Sequence, residues 1–252
     1  MVSSNIGAAR MGEAVGTAKL KSFYKDLGLL DKVQIELDEV SRPLVPNPWR
    51  DLDTMVASYG HSLAVTPIQT LSAMATIVNG GILVHPTLLM DGSLPDKGSG
   101  KKGSEAEIRV ISAQTAHRMR QLLRLVVTEG TAKSADVAGF QVGGKTGTAE
   151  KEAGRGYSDN KRLSSFIGVF PMDAPRYAIM VMIDEPKGTK ATYGYATGGW
   201  VAAPAVGRII KAMAPVMGLV PRAIPPEKEM SAPLLPYVRN KEGKYLASVT
   251  AE

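Results

Sequence analysis

The sequence contains no cysteine, only three histidines and few aromatic residues, which make up 6% of its 252 positions. Without cysteine there is no disulfide framework and no thiolate metal site, and three scattered histidines do not predict a metal cluster. No apolar run approaches the roughly eighteen residues of a membrane-spanning helix. Met1 leads directly into a polar stretch in which no signal peptide is recognisable. We therefore expect no metal ion, no cofactor and no membrane span in these residues.

The sequence does have an excess of positive charge, with a formal net charge of +6. Such a charge would suit a nucleic acid, an anionic wall polymer or a membrane surface. The lysines and arginines are dispersed rather than clustered with aromatic residues, so we predict no nucleic-acid partner. With 44% hydrophobic residues, the chain can bury one sizeable core.

A glycine-rich stretch at residues 139–151 reads Gly-Phe-Gln-Val-Gly-Gly-Lys-Thr-Gly-Thr-Ala-Glu-Lys. Residues 139–146 fit the P-loop pattern G-x-x-x-x-G-K-S/T, which cradles phosphates. A P-loop needs a helix that opens at its Lys-Thr pair, so that backbone N–H groups face the phosphates. The following residues, up to 162, carry no apolar stripe at helical spacing. Two runs rich in Ile, Val, Met and Phe come next, at 163–170 and 176–184, and they predict consecutive strands.

The alternative interpretation places Lys145-Thr146-Gly147 in a strand as a K-T-G motif. Alternation then puts Lys145 and Gly147 on one face and Thr146 and Thr148 on the other. A strand left bare by glycine lets an extended peptide pair with its backbone, while the lysine offers positive charge and the hydroxyls offer hydrogen bonds to a carboxylate. The pattern therefore indicates a site for an anionic peptide, although a tripeptide alone is weak evidence.

A second motif stands at the start of the chain, where Ser3-Ser4-Asn5 forms an S-x-N. Penicillin-binding proteins and serine β-lactamases carry S-x-x-K, then S-x-N or S-D-N, then K-T-G, in chain order. The chain therefore resembles the transpeptidase domain of a class B penicillin-binding protein, and in particular the cell-division transpeptidase of Gram-negative bacteria. Over residues 1–218, further segments match that family in order and spacing, namely 49–51, 58–69, 166–171 and 202–204.

The resemblance implies an α+β fold in which helices flank an antiparallel sheet, as in penicillin-binding proteins and serine β-lactamases, here N-terminally incomplete. We expect residues 1–220 to form the C-terminal portion of the transpeptidase domain. Residues 221–252 contain five prolines and are expected to form an extended tail. The nucleophile motif, the first strand, the membrane anchor and the N-terminal module of the family would lie upstream of Met1.

The implied activity is acyl transfer from a peptidoglycan stem peptide that ends in D-Ala-D-Ala to an amine acceptor, in septal cell-wall synthesis. Lys145 would supply positive potential and assist proton transfer through Ser3, and Asn5 would bind the donor amide. The N–H of Thr148 would be one oxyanion-hole donor, a contribution of roughly 3 kcal/mol. The hydroxyls of Thr146 and Thr148 would bind the terminal carboxylate of the donor. Gly147 would leave the strand bare, so that the donor peptide can lie beside it.

The S-x-x-K nucleophile motif is absent before the S-x-N, and a later match, Ser22-Phe23-Tyr24-Lys25, lies in the wrong order. It falls within a helix predicted over 8–27, among other charged residues, where water would keep Lys25 protonated. We therefore expect Ser22 not to be a nucleophile and the chain alone to be inactive. A non-catalytic module that binds peptidoglycan or penicillin, and a P-loop nucleotidase, remain as alternative functions.

The resemblance also implies partners and a location. The partners would be the peptidoglycan stem peptide, β-lactams that imitate it, and membrane proteins of the division complex. The location would be the periplasmic face of the bacterial inner membrane.

Other patterns predict the elements around these motifs. A short helix is expected at 52–59, and Thr66-Pro67-Ile68-Gln69 has the form of a capping box that opens the next helix. Ser112 is expected to cap a helix that ends at Gly130. Its three arginines are expected to form a solvated face, namely Arg118, Arg120 and Arg124, and residues 91–104 are expected to form a loop.

Overall fold

The computed structural model describes residues 3–90, 107–153, 156–225 and 228–238, with the backbone alone at 152–153 and 156–160. The chain divides into two compact units. One unit contains residues 4–116, and the other contains residues from 117 onward together with Ser3.

The unit of residues 4–116 is helical, with α1 (Asn5–Val15), α2 (Thr17–Asp26), α3 (Asp51–Ala57) and α4 (Pro67–Val78). The sequence predicted one helix over 8–27, and that prediction is wrong because Gly16 separates α1 from α2. Gly16 has φ of 84° and ψ of 153°, a conformation that residues with a Cβ atom rarely adopt. The expected start of α4 is confirmed, since the Thr66 hydroxyl accepts a hydrogen bond from the Gln69 N–H and the Gln69 side chain accepts one from the Thr66 N–H.

The helix α5 (Ala113–Thr128) leads into the second unit, and the Ser112 hydroxyl accepts from the Thr115 N–H as expected of a cap. The second unit contains β1 (Gly143–Ala153), β2 (Gly156–Phe170), β3 (Tyr177–Asp184) and the helix α6 (Gly198–Val216). The strands form an antiparallel sheet in the order β1-β2-β3, with Lys145 opposite Ile167. The predicted α+β class with an antiparallel sheet and helices is therefore confirmed.

The core of this second unit lies between the sheet, α5 and α6. Phe166 and Phe170 of β2 have no exposed surface, and Phe170 contacts Phe140 edge to face with ring centroids 6.5 Å apart. Ala202 and Ala203 have no exposed surface, and their small side chains let α6 approach the sheet closely. The buried side chains of α6 in this core are Ala202, Ala203, Val206, Ile210 and Ala214.

The expectation of a solvated arginine face on α5 holds for Arg118 but is wrong for Arg124. Arg124 is only 5% exposed, because two carboxylates and a backbone carbonyl surround its guanidinium group. A helical period places an arginine on a face of the helix, but it does not tell which face the rest of the chain covers.

Residues 221–225 carry no helix or strand, whereas residues 228–238 differ from a fully extended tail. Residues 228–238 include a 3₁₀ helix at Ala232–Tyr237, and Ser231 is 1% exposed. Residues 239–252 lie outside the described residues, as do 91–104, so the tail and the loop expected there stay predictions. The domain boundary at residue 220 also stays a prediction.

Candidate active site

The K-T-G residues lie in β1, which runs through Thr148 and on to Ala153. No helix opens at Lys145-Thr146, so the geometry that a P-loop needs is not present there. Strand β1 pairs with β2 on one side, and among the described residues no strand pairs with its other side. The candidate site is therefore a strand at the edge of the sheet, where an extended ligand can form backbone hydrogen bonds.

The ammonium group of Lys145 is partly buried. Its Nζ donates a hydrogen bond to the Thr146 carbonyl oxygen at 2.9 Å. Burial lowers the pKa of Lys145, because removal of water disfavours the charged form. Among the described side chains, no carboxylate forms a salt bridge with it. Lys145 therefore carries a positive charge that no described carboxylate neutralises, and this makes it suited to bind an anionic ligand.

The hydroxyl group of Thr148 lies at the N-terminus of α6. The Gly198 N–H, the first of the helix, donates to the Thr148 Oγ1 at 3.1 Å. A Cβ atom on Gly198 would lie 2.7 Å from the Gly147 carbonyl oxygen, so only glycine lets the helix end come so close to β1. Helix N-termini carry partial positive charge and favour anions. The hydrogen of the Thr148 hydroxyl is not used in this bond and can point to a ligand.

Thr131 and Thr146 place a pair of hydroxyl groups in the same region as Thr148. The hydroxyl oxygens of Thr131 and Thr146 are 3.1 Å apart, and either can donate to the other. One hydroxyl hydrogen of the pair is therefore not used in their bond. Thr146 and Thr148 face the same cleft, which confirms the alternation predicted from the sequence.

We call this space the K-T-G cleft, a cavity of about 510 Å³ open to solvent. Several of its lining residues could not be assigned from the sequence, because they come from the approach to β1 and from α6, outside the motif itself. A Thr-Gly-Gly run before an apolar helix was the available signal for the α6 side. The residues that line the cleft are Gly130, Thr131, Lys133, Ser134, Thr146, Thr148, Thr197, Gly199 and Trp200.

An aromatic cluster borders the K-T-G cleft. The ring of Tyr195 stacks on that of Trp200, with centroids 5.4 Å apart and an interplanar angle of 17°. Tyr193 meets the same indole ring edge-on at 5.8 Å. Both tyrosines are exposed. Flat exposed rings beside a polar cleft offer a surface on which an apolar part of a ligand can pack.

The S-x-N residues lie where α1 begins. Ser3 and Asn5 are exposed, and Ser4 caps α1 by accepting a hydrogen bond from the Gly7 N–H at 3.0 Å. Asn5 and the K-T-G belong to different compact units. The roles of Ser3 and Asn5 therefore stay predictions.

The S-x-x-K match at residues 22–25 lies on α2, where Ser22 and Lys25 are both exposed. Water around an exposed lysine favours its protonated form, which cannot act as a base.

The described residues contain neither a cluster of metal-ligating side chains nor a membrane-spanning helix. No group of three or more histidine, aspartate or glutamate side chains in them could hold a metal ion. None of their helices is both long enough and apolar enough to span a lipid bilayer.

Residues 1–211 match the family described as the penicillin binding protein transpeptidase domain. The chain belongs to this family. Its curated relatives include a probable peptidoglycan D,D-transpeptidase FtsI of Caulobacter vibrioides, 41% identical over 229 residues, and the stage V sporulation protein D of Bacillus subtilis, 38% identical over 231 residues. The alignments cover 86% and 90% of this chain but 37% and 35% of those proteins. The chain thus spans little more than a third of their length.

Solved structures agree with this assignment. The transpeptidase domain of penicillin-binding protein 3 from Burkholderia pseudomallei superposes with a TM-score of 0.73 at 31% identity, over 87% of this chain and 63% of that one. Penicillin-binding protein 3 from Mycobacterium tuberculosis, in complex with ampicillin, gives a TM-score of 0.75 at 30% identity, over 90% of this chain and 52% of that one. The transpeptidase fold predicted from the motifs is therefore confirmed.

Proposed function

We propose that this chain supplies the K-T-G wall and the S-x-N of a peptidoglycan D,D-transpeptidase site that works in septal cell-wall synthesis. The observation that carries the proposal is the K-T-G cleft, where the Thr148 hydroxyl oxygen accepts a hydrogen bond from the N-terminus of α6 and keeps its hydrogen for a ligand. The names of the relatives, which include peptidoglycan D,D-transpeptidases, support the same reaction.

The donor in this proposal is a stem peptide that ends in D-Ala-D-Ala. Its terminal carboxylate would accept hydrogen bonds from Thr146 and Thr148, near the positive end of α6 and the Lys145 charge. Its backbone would lie along β1, and Gly147 leaves room beside the strand. A β-lactam carries a comparable carboxylate and amide, and the ampicillin complex of a relative supports this second ligand class.

The chemistry needs a serine nucleophile in addition to these residues. Its Oγ attacks the carbonyl carbon of the penultimate D-alanine, the C–N bond breaks, and D-alanine leaves with the proton on its amine. An amine from another stem peptide then attacks the ester and releases the serine. Lys145 and Ser3 would assist the proton transfers, Asn5 would bind the donor amide, and the Thr148 N–H would stabilise the oxyanion.

We propose that these 252 residues alone are inactive, because Ser22 and Lys25, the S-x-x-K match on α2, are both exposed. We also propose that the protein works with membrane proteins of the division complex at the periplasmic face of the inner membrane. The name of the FtsI relative supports the cell-wall reaction in this proposal.

Carboxylate recognition is tested by titration of the chain with diacetyl-Lys-D-Ala-D-Ala, followed through the NMR signals of the threonine methyl groups. We expect the signals of Thr146 and Thr148 to shift, and the affinity to fall about tenfold in Thr148→Val, since one hydrogen bond to a charged group contributes on the order of 1.5 kcal/mol. The matched control ligand is the same peptide with a C-terminal amide. Equal affinity for the acid and the amide would contradict the proposal.

Inactivity of the chain alone is tested by intact mass after incubation with excess benzylpenicillin, beside a Ser22→Ala variant. We expect no adduct on either protein. A stoichiometric adduct that is lost in Ser22→Ala would make Ser22 a nucleophile and refute this part of the proposal.

A further inference from the structure

The residue range 219–225 and 228–238, here called the C-terminal strap, packs against the segment that leads into β1. The family match ends at residue 211, so the strap lies beyond it. The Arg222 N–H donates to the Gly139 carbonyl oxygen at 3.0 Å, and the Arg222 guanidinium pairs with Asp173. Ser231 of the strap lies within 3.4 Å of the Thr128 hydroxyl at the end of α5. The strap therefore touches three separate segments around the start of β1.

Glu229 of the strap binds the buried Arg124 of α5. Its Oε1 accepts from Arg124 Nε at 2.8 Å, and its Oε2 accepts from Nη2 at 3.0 Å. Such a two-point contact fixes both the position and the plane of the guanidinium. On the other side, Asp136 accepts from Arg124 Nη1 at 2.7 Å and from Nη2 at 3.4 Å. The two carboxylates hold the guanidinium group from both sides.

Arg124 carries this restraint to β1. Its Nη1 also donates to the Val142 carbonyl oxygen at 2.7 Å, directly before the first residue of β1. A guanidinium has five N–H donors, and the five bonds to Glu229, Asp136 and Val142 account for all of them. A Cβ atom on Gly143 would lie 3.1 Å from the Arg124 backbone nitrogen, so the start of β1 lies directly against α5.

We propose that Glu229 is a positioning residue for the K-T-G strand: through Arg124 and the Val142 carbonyl, it fixes the start of β1 and thereby the Thr146 and Thr148 hydroxyls. Lys145 follows Val142 by three residues, so a shift at Val142 moves the motif. The inference rests on the proposed function only for its effect on ligand binding. The restraint on β1 is independent of it.

The first test is amide hydrogen exchange over 139–150 in the chain, measured by mass spectrometry for Glu229→Ala and for Lys228→Ala. Lys228 is the exposed neighbour of Glu229 in the strap, so its variant is the matched control. We expect exchange in β1 to rise about tenfold in Glu229→Ala and to stay unchanged in Lys228→Ala, because β1 opens locally when its restraint is lost. Glu229→Gln, which keeps one carbonyl acceptor, should lie between wild type and Glu229→Ala.

Two results would overturn the proposal. One is unchanged exchange in β1. The other is an equal rise over all of 117–238, which would make Glu229 an ordinary stabilising residue. If Glu229→Ala does not fold, Glu229→Gln is compared in its place, with the same expectation of a rise confined to β1.

The second test asks whether the positioning reaches the ligand. In Glu229→Ala we expect the methyl signals of Thr146 and Thr148 to shift, the affinity for diacetyl-Lys-D-Ala-D-Ala to fall about tenfold, and Glu229→Gln to recover part of it. If wild type does not bind the peptide, the proposed function fails. The exchange experiment then still tests whether Glu229 restrains β1. If Glu229→Ala binds the peptide as tightly as wild type although β1 exchanges faster, Glu229 does not position the Thr146 and Thr148 hydroxyls for the ligand. That result would overturn the positioning role.

Discussion

At the scale of single residues, the candidate site contains a charged group and a hydroxyl group that still have capacity to bind a ligand. Lys145 has lost part of its water without gaining a carboxylate partner among the described residues. Thr148 accepts a hydrogen bond from the first N–H of α6. Such groups lower the free energy of a complex with an anion more than fully paired groups would, because the ligand replaces no existing salt bridge.

The lowered pKa of Lys145 gives a direct prediction. Burial disfavours its charged form, so Lys145 should lose its proton at a lower pH than an ordinary lysine, whose pKa is about 10.4. Competitive labelling with a trace of acetic anhydride from pH 7 to 11, read by peptide mass spectrometry, gives the midpoint for Lys145. We expect this midpoint to lie below the ordinary lysine value. A midpoint at or above that value would contradict the desolvation of Lys145.

At the scale of elements, β1 and β2 lie close because Gly144 has no side chain. A Cβ atom there would meet the Ile167 carbonyl oxygen, and it would lie 2.6 Å from the Phe166 ring. At Gly147 the nearest atom within reach is the Ser165 hydroxyl, 2.6 Å from an added Cβ, and a serine side chain can rotate away. The two glycines of the same strand thus differ in packing, because an added Cβ atom would meet backbone and a buried ring at Gly144 but only a serine side chain at Gly147.

This contrast predicts opposite outcomes for two alanine variants. Gly144→Ala should lower the free energy of unfolding by about 2 kcal/mol, since overpacking against backbone commonly costs 1–3 kcal/mol. Gly147→Ala should change it by less than about 0.5 kcal/mol and instead weaken binding of diacetyl-Lys-D-Ala-D-Ala. Urea unfolding and the NMR titration measure the two effects. A stability loss of similar size in both variants would contradict the assignment.

At the scale of the whole molecule, the C-terminal strap and α5 share a charged centre. Burial alone raises the pKa of Glu229, but hydrogen bonds and attraction from Arg124 outweigh it, so the pKa lies below its ordinary value. The groups that face Glu229 in this centre are Arg124 and, across the guanidinium, Asp136. The strap is thus held partly by ionisation of one carboxyl group.

A lowered carboxyl pKa fixes the sign of the pH dependence. The stabilisation by Glu229 should be fully present above its pKa in the unfolded chain, about 4.3, and should be lost as the pH falls through its lower pKa in the folded chain. Thermal unfolding of wild type and Glu229→Gln from pH 7 to 3 measures it. We expect the gap in melting temperature to be constant from pH 7 to 5 and to narrow below about pH 4. A gap that persists unchanged at pH 3 would contradict an ionic contribution.

The family, the K-T-G strand and the start of α4 can all be predicted from the sequence. These features depend on neighbours in the chain: alternation in β1, and the capping box of Thr66 and Gln69. Local chemistry also favoured a strand over a P-loop, because no helical stripe follows Thr148. The separation of α1 from α2 at Gly16 was missed, since a glycine within a helical pattern does not reveal its φ.

Long-range contacts were needed to show which residues line the K-T-G cleft and that Arg124 is buried. Thr131 meets Thr146 across fifteen residues, Gly198 meets Thr148 across fifty, and Glu229 meets Arg124 across 105. Periodicity predicts that a side chain lies on one face of a helix or strand, but the partner on that face comes from a distant part of the chain. The burial of Arg124 depends on both carboxylates, because an unpaired buried charge would destabilise the folded state.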